Sequence, residues 1–257
     1  MGSGKKIVEI LWTGGWDSTY RMVELSRMDV RVKPIYLHGD NRLSEVYERR
    51  AMDDILRALR RREETIAEIL DVEDVNIADI PTNKEITDAY KILHKDTGLG
   101  SQNEYLGRYA AIHPGIELGL EKAVSQEGHV TRTLNKWCYM EPNPEGGCTF
   151  VKEKSTREGA LVLGNFTYPI RDKTEVEMLE NIREWGYEDI MSMIWFCHSP
   201  INGTPCGVCH PCQVKAESGM DFLLPYSAKR RNRKFKKLRK YFGEEIAKRI
   251  ARRIKTD

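Results

Sequence analysis

The chain has 257 residues, 40% of them hydrophobic, and a formal net charge of +2. That length suits one domain with attachments and can fill a sizeable core. No apolar run approaches the roughly 18 residues of a membrane span, and no signal peptide is legible, so a cytoplasmic protein is expected. The charge is uneven: residues 229–257 carry 14 Lys and Arg against 3 acids, so an acidic body has a basic tail.

The apolar run Ile7-Val8-Glu9-Ile10-Leu11-Trp12 reads as a buried strand. Thr13-Gly14-Gly15-Trp16 follows, and then Ser18 to Met28 reads as a helix with Met22, Val23 and Leu25 on its apolar side. Strand, glycine pair and helix start make a phosphate-holding geometry. Glycine allows close backbone approach, and the free N–H groups and dipole of the helix face the anion. Asp17 and Ser18 either cap that helix or hold Mg²⁺ and a phosphate oxygen. An ordinary strand–turn–helix is the plain alternative. A Walker A loop is not expected, because Gly4-Lys5 has no glycine five residues earlier.

Arg31 to Leu37 reads as a second strand, with His38-Gly39-Asp40-Asn41 as its exit turn. Leu43 to Leu70 has the period of a helix, and Arg57, Arg60, Arg61 and Arg62 give it a solvated basic face. Val75 to Ile80 is a third strand, Lys84 to His94 a helix, and Asp96 to Asn103 a polar loop. Tyr109 to Val124 reads as helical, interrupted at His113-Pro114-Gly115. Arg108, after Gly107, is either a surface arginine or a bidentate clamp on a phosphate or carboxylate.

Residues 127–158 read as irregular, a lid or an insertion around the loop Asn143-Pro144-Glu145-Gly146-Gly147. His129, Cys138 and Cys148 lack tight ligand spacing and read as packing or loop residues. Gly159 to Asn165 reads as a strand, and Thr174-Glu175-Val176-Glu177 as the capping box of a helix running to Trp185. Alternating strands and helices of this size predict an α/β fold with a doubly wound parallel sheet.

The sharpest spacing is Cys197-x8-Cys206-x2-Cys209-x2-Cys212. Four thiolates fill a closed tetrahedral Zn²⁺ site, which is structural because no position is left for water. An iron–sulfur cluster is the rival, and a disulfide knot suits a chain without a signal peptide badly.

The loop Leu11-Trp12-Thr13-Gly14-Gly15-Trp16-Asp17-Ser18-Thr19 resembles the Ser-Gly-Gly-x-Asp-Ser loop of the PP-loop ATP pyrophosphatases, with Thr13 in the first serine position. Loop and cysteine module together resemble the 7-cyano-7-deazaguanine synthase family. Gly107-Arg108 is similar to that family's Gly-Arg-Asn element, Tyr168 to Val176 to its Pro-Leu-x-x-x-[Ser/Thr]-Lys-x-Glu-Ile stretch, and Trp195-Phe196-Cys197 to its Trp-Ser-Cys. The resemblance covers residues 7–215. Tyr109 replaces the family's asparagine, and Phe196 its serine.

The resemblance implies a PP-loop fold of the adenine nucleotide alpha hydrolase type over residues 1–194 and a zinc module over 195–225; the basic helical extension read over 226–257 lies beyond the usual end of the family. It implies ATP and Mg²⁺ at Leu11 to Thr19, with Asp17, Ser18 and Arg108 as catalytic residues. A deazaguanine carboxylate attacks the α-phosphorus of ATP, pyrophosphate leaves, and the acyl adenylate meets an amine. With ammonia, a second adenylation gives the nitrile. Divergent relatives in antiphage systems imply a protein acceptor instead, and a homodimer is expected. A zinc-bearing RNA-binding module with a vestigial nucleotide site is the reading from another class.

The tail predicts two amphipathic helices separated near Gly243. Phe235, Leu238 and Tyr241 or Phe242 mark one, and Ile246, Ala247, Ile250, Ala251 and Ile254 the other. Their apolar stripes are expected to dock on the acidic body or on a second subunit. The basic faces then look outward, to nucleic acid or an acidic protein; an intramolecular role against the body is the rival.

Overall fold

The computed structural model describes residues 4–39, 41–122 and 128–253. Asp40, Val124, residue 127 and Ile254, named above, lie outside them. By packing, the chain divides into two compact units. One is Met1–Trp12, Asp17–Asp40 and Leu59–Asn181; the other is Thr13–Trp16, Asn41–Ala58 and Ile182–Asp257.

The chain begins as read. Strand β1 (Lys6–Leu11) leads through residues 12–15 to helix α1 (Trp16–Ser26), and strand β2 (Val30–His38) follows. Helix α2 (Glu45–Arg61) stops well short of Leu70. The Thr65 hydroxyl donates to the Leu59 carbonyl, and the Thr65 amide donates to Arg62. Glu63 and Glu64 sit where the helix dipole disfavours acids, so the turn wins over the apolar period. The chain then forms β3 (Glu68–Ile69) and β4 (Glu73–Asn76). The strand expected over 75–80 thus starts earlier and ends at Asn76, whose side chain accepts from the Ala78 amide and turns Ile77–Asp79 into a 3₁₀ turn.

Helix α3 (Lys84–Thr97) is capped by Asn83 at its start and by Gly98, at φ 74°, at its end. Helix α4 (Gln102–Ile112) and strand β5 (Ile116–Leu118) replace the described part, 109–122, of the interrupted helix expected there. Pro114 and Gly115, the latter at φ 91°, end helical structure outright, and the apolar run after them pairs into the sheet.

The segment taken as irregular is ordered over its described part: helix α5 (His129–Trp137), then a hairpin of β6 (Met140–Pro142) and β7 (Cys148–Phe150). Residues 159–165 are not a strand. Thr156 accepts from the Gly159 amide and starts helix α6 (Arg157–Leu163), before the two-residue strand β8 (Phe166–Thr167). Helix α7 (Glu175–Trp185) opens with the capping box: Glu177 accepts from the Thr174 amide, and Thr174 accepts from the Glu177 amide. Short helix α8 (Glu188–Met191), then α9 (His210–Glu217), α10 (Tyr226–Phe242) and α11 (Glu244–Arg252) complete the chain.

The main sheet is all parallel, in the order β3-β2-β1-β5-β8, with β4 also on β2. Pro34 explains why β3 and β4 are separate. The Val32 carbonyl accepts from the Leu70 amide, and the two-residue period puts the nitrogen of Pro34 on that same side. Proline has no donor to give, so the pairing breaks there and resumes at Ile35↔Glu73.

Leu11, Ile35 and Leu37 point into one core with Ile86 and Leu93 of α3, Tyr109 of α4 and Leu163 of α6. Their neighbours Ile10 and Tyr36 point the other way and are fully buried too. Both faces of the central strands are therefore covered, as a parallel sheet requires.

In the second unit, the four cysteines share a core with Val208, Leu224, Ala228, Phe235, Ala247 and Ala251. The tail helices therefore dock through Ala228, Phe235, Ala247 and Ala251 on the cysteine module of their own chain. Tyr241, Phe242 and Ile246, expected on the apolar stripes, are exposed. No helix among the described residues is long and apolar enough to cross a membrane.

Candidate functional site

The chain passes from β1 to β2 on one side, and β5 lies on the other side of β1. Strand order therefore reverses between β1 and β5, whose ends pair at Leu11↔Leu118. Ligands of open parallel sheets bind in the crevice beyond the strand ends at such a reversal. Beyond β1 the chain enters α1, and beyond β5 Gly119 lies against the backbone of Ser18. The first turn of α1 has amides without intrahelical acceptors.

At this point stands a carboxylate group that the sequence reading had only in part. Oxygens of Asp17, Glu121 and Glu175 lie within 4.8 Å of one another, all half-buried. Three carboxylates this close repel unless a cation offsets them. A hard, all-oxygen donor set suits Mg²⁺, which takes one or two carboxylates along with phosphate oxygens and water. The loop that carries Glu121 is fastened down. Arg171 donates to the Glu121 carbonyl at 2.6 Å, and the Lys122 amide to the Lys173 carbonyl at 2.7 Å. Burial pulls the Arg171 pKa down.

The other predicted loop residues divide by role. Leu11 and Trp12 are buried, and the Trp12 indole donates to the Thr19 hydroxyl at 3.0 Å. In the second unit Thr13 is exposed and Gly15 half-buried. Gly14, at φ 67°, rests on α2, where a Cβ would meet Ala51, Met52 and the Glu48 carbonyl at 3.3 Å. Its carbonyl accepts from the Trp195 amide. The Trp16 ring is buried under the Lys215 ammonium, 4.7 Å from its centroid. Nearby in the same unit, Tyr47 and Trp195 stack with centroids 4.4 Å apart.

Arg108 is held in another way. It donates to Glu104 at 3.0 Å, and to the carbonyls of Ile80 at 2.8 Å and Pro81 at 3.2 Å. These bonds tie α4 to the turn after β4. Tyr109 beside it is buried and stacks on His113.

The cysteine centre has metal-site geometry. The sulfurs of Cys197, Cys206, Cys209 and Cys212 are buried and lie within 4.8 Å of one another. Cys206–Cys212 and Cys197–Cys209 are each 3.9 Å apart, far beyond a disulfide bond. A tetrahedron with metal–sulfur bonds of about 2.3 Å has edges of about 3.8 Å. An iron–sulfur cluster would put its own atoms between the thiolates and spread them, so the spacing fits a single ion such as zinc.

Backbone amides point at the sulfurs: Cys206 at Cys197, and Val208 and Cys209 at Cys206. Bonds from the other thiols, and then the Val208 amide, drive the Cys206 pKa far down; bonding to Cys197 first of all brings Cys209 to about 7. His198 is pushed down by burial.

Sequence reasoning missed Arg231, an arginine within a charge run. It is 1% exposed, and donates to the carbonyls of Cys206 and Pro205 at 2.8 and 3.0 Å. Asn232 donates to Gly207. Glu121 and Glu175 were equally hard to find, because each lies more than a hundred residues from Asp17 in the chain. The spacing of Arg231 and Asn232 from Ala228 and Phe235 on one helix face was the one available signal. A comparison with protein-family models, curated proteins and solved structures returns no match for this chain.

Proposed function

We propose that this chain is an AMP-forming enzyme of the PP-loop type. It adenylates the carboxylate of 7-carboxy-7-deazaguanine and passes it to ammonia, giving 7-cyano-7-deazaguanine. The observation that carries the reading is the position of Asp17, Glu121 and Glu175 at the strand-order reversal beside the start of α1. The motif order described above supplies the substrate class.

In this reading the Ser18 hydroxyl holds the departing pyrophosphate. The amides opening α1 lower the energy of charge as it develops, which is where such donors count most. Asp17, Glu121 and Glu175 would hold Mg²⁺, which when bound spreads the phosphate charge. Arg108 acts as a positioning residue for α4, given its bonds to Glu104, Ile80 and Pro81. Cys197, Cys206, Cys209 and Cys212 hold zinc, a structural ion that braces their own module.

A second reading keeps the adenylation and changes the acceptor to an amine of a protein or nucleic acid. The exposed cationic face of α10, which a small-molecule acceptor does not require, favours it. The test is pyrophosphate release from ATP on adding 7-carboxy-7-deazaguanine, with mass spectrometry of the products. Release with a nitrile product supports the first reading. Release without nitrile supports the second. No release with metal-loaded protein overturns both.

A further inference from the structure

We infer that the outer face of α10 is a binding surface for single-stranded nucleic acid. Arg230, Arg233, Lys234, Lys237 and Lys240 are exposed and recur at helical spacing along one stripe. Ala228, Arg231 and Phe235, which dock the helix, lie on the opposite side. The stripe is bracketed by two tyrosines in register with it, Tyr226 at 73% exposure and Tyr241 at 81%. From one to the other the helix rises about 22 Å.

A solvated charged helix is the plain alternative, and the pairing pattern argues against it. Where α10 needs charge relief it has it: Lys229 pairs with Asp221 at 2.8 Å, and Lys236 with Glu217 at 3.2 Å. Among the described residues the five cations of the stripe have no acidic partner, although like charges three and four residues apart destabilise a helix. A polyanion removes that repulsion. Cations spaced about 5–6 Å apart on a helix match the repeat of a phosphate backbone. The tyrosines favour unpaired bases, because an exposed ring stacks on a base face that a duplex keeps covered. An acidic polypeptide would satisfy the charge and leave both rings without a role.

The test uses the full-length, zinc-loaded protein with labelled single-stranded RNA and DNA oligonucleotides, the matching duplex and polyglutamate. Single strands are expected to bind best. With five phosphates contacted, affinity should fall by roughly a hundredfold between about 50 and about 200 mM salt. Replacing the five cations by alanine should flatten the salt slope and weaken binding by at least roughly tenfold. Tyr226→Ala with Tyr241→Ala should weaken single-strand binding and leave duplex binding unchanged. All these side chains are exposed, so circular dichroism and zinc content should match wild type. Equal binding of polyglutamate, or unchanged affinity and salt slope in the five-alanine variant, overturns the proposal. Pyrophosphate release should be the same in all of these variants, which separates this result from the adenylation reading.

Discussion

Gly119 and Ser18 meet backbone to backbone: a Cβ on Gly119 would stand 2.8 Å from both the nitrogen and the α-carbon of Ser18. That approach fixes the exit of β5 against the first turn of α1. Gly119→Ala should therefore push the two apart, destabilising the fold by about 1–3 kcal/mol. Pyrophosphate release should drop by roughly a hundredfold, the scale of a small misplacement at a reacting centre. Gly115→Ala is the control. Its φ is 91° but nothing lies within 4 Å of the added carbon, so it should cost only backbone strain, about 1 kcal/mol. Denaturant melts and release assays on both variants check this. Equal effects would remove the special role of the Gly119 contact.

The carboxylate group gives a prediction that does not depend on turnover. Mg²⁺ should raise the melting temperature of the wild type by relieving the repulsion among Asp17, Glu121 and Glu175. Asp17→Asn, Glu121→Gln and Glu175→Gln keep shape and remove one charge each. Each variant should match or exceed the wild-type stability without metal, and gain less from added Mg²⁺. Pyrophosphate release should require more Mg²⁺ in all three. A wild type indifferent to Mg²⁺ in the melt would argue that the site holds no ion.

The cysteine centre should carry about one zinc per chain by metal analysis. Structural zinc supplies on the order of 10 kcal/mol of apparent binding energy in small domains. Cys209→Ser, or prolonged chelation, should thus release α10 and α11 to protease. Thiolates must lose protons to bind, so metal should leave progressively as pH falls. Iron in place of zinc, or well-folded protein without metal, would refute the assignment.

Lys33 of β2 bridges Glu9 of β1 at 3.0 Å and Glu73 of β4 at 2.6 Å. Burial raises the Glu9 pKa, but Lys33 and His113 more than offset it, and the net shift is downward from 4.5. A depressed carboxylate stabilises the fold above its unfolded value and loses that contribution as pH falls through its folded value. Lys33→Met should cost about 1 kcal/mol near neutral pH, given the partial exposure. The gap from wild type should close below 4.5. Chemical melts across pH test this; a constant gap would mean that Lys33 acts by packing alone.

Arg108→Ala should leave the carbonyls of Ile80 and Pro81 and the Glu104 carboxylate short of a donor. A loss of about 1–3 kcal/mol is expected. If Arg108 acts only by positioning, Arg108→Lys should recover part of the stability and the release activity together. Activity lost at full stability would return it to the chemistry.

Local chemistry was legible in the sequence where neighbours in the chain are neighbours in space. The β1–glycine–α1 passage, the Thr174–Glu177 capping box, the cysteine spacing and the break at Gly243 all depend on residues within a few positions. Residues 159–165 were misread because a short apolar run fits helix and strand equally, and the deciding cap, Thr156, lies before it. Strand β5 was missed for a related reason: its three residues follow Pro114 and Gly115, which read as a kink or break in one helical segment. Glu121 and Glu175 join Asp17 only through strand order, which no local pattern encodes. Arg231 sits in a charge run and is buried because two carbonyls of the Pro205–Cys206 turn receive it.

The sheet ends in very short strands: β8 has two residues on one edge, and β3 and β4 have two and four on the other. Open ladders of this length make poor templates for a strand from another chain. Pro34 therefore has an effect beyond its own strand. By dividing the outer pairing into two fragments, it denies a neighbouring molecule a continuous edge on that side. A sequence rich in Val and Ile in its central strands can then be made at high concentration with less risk of joining its copies edge to edge.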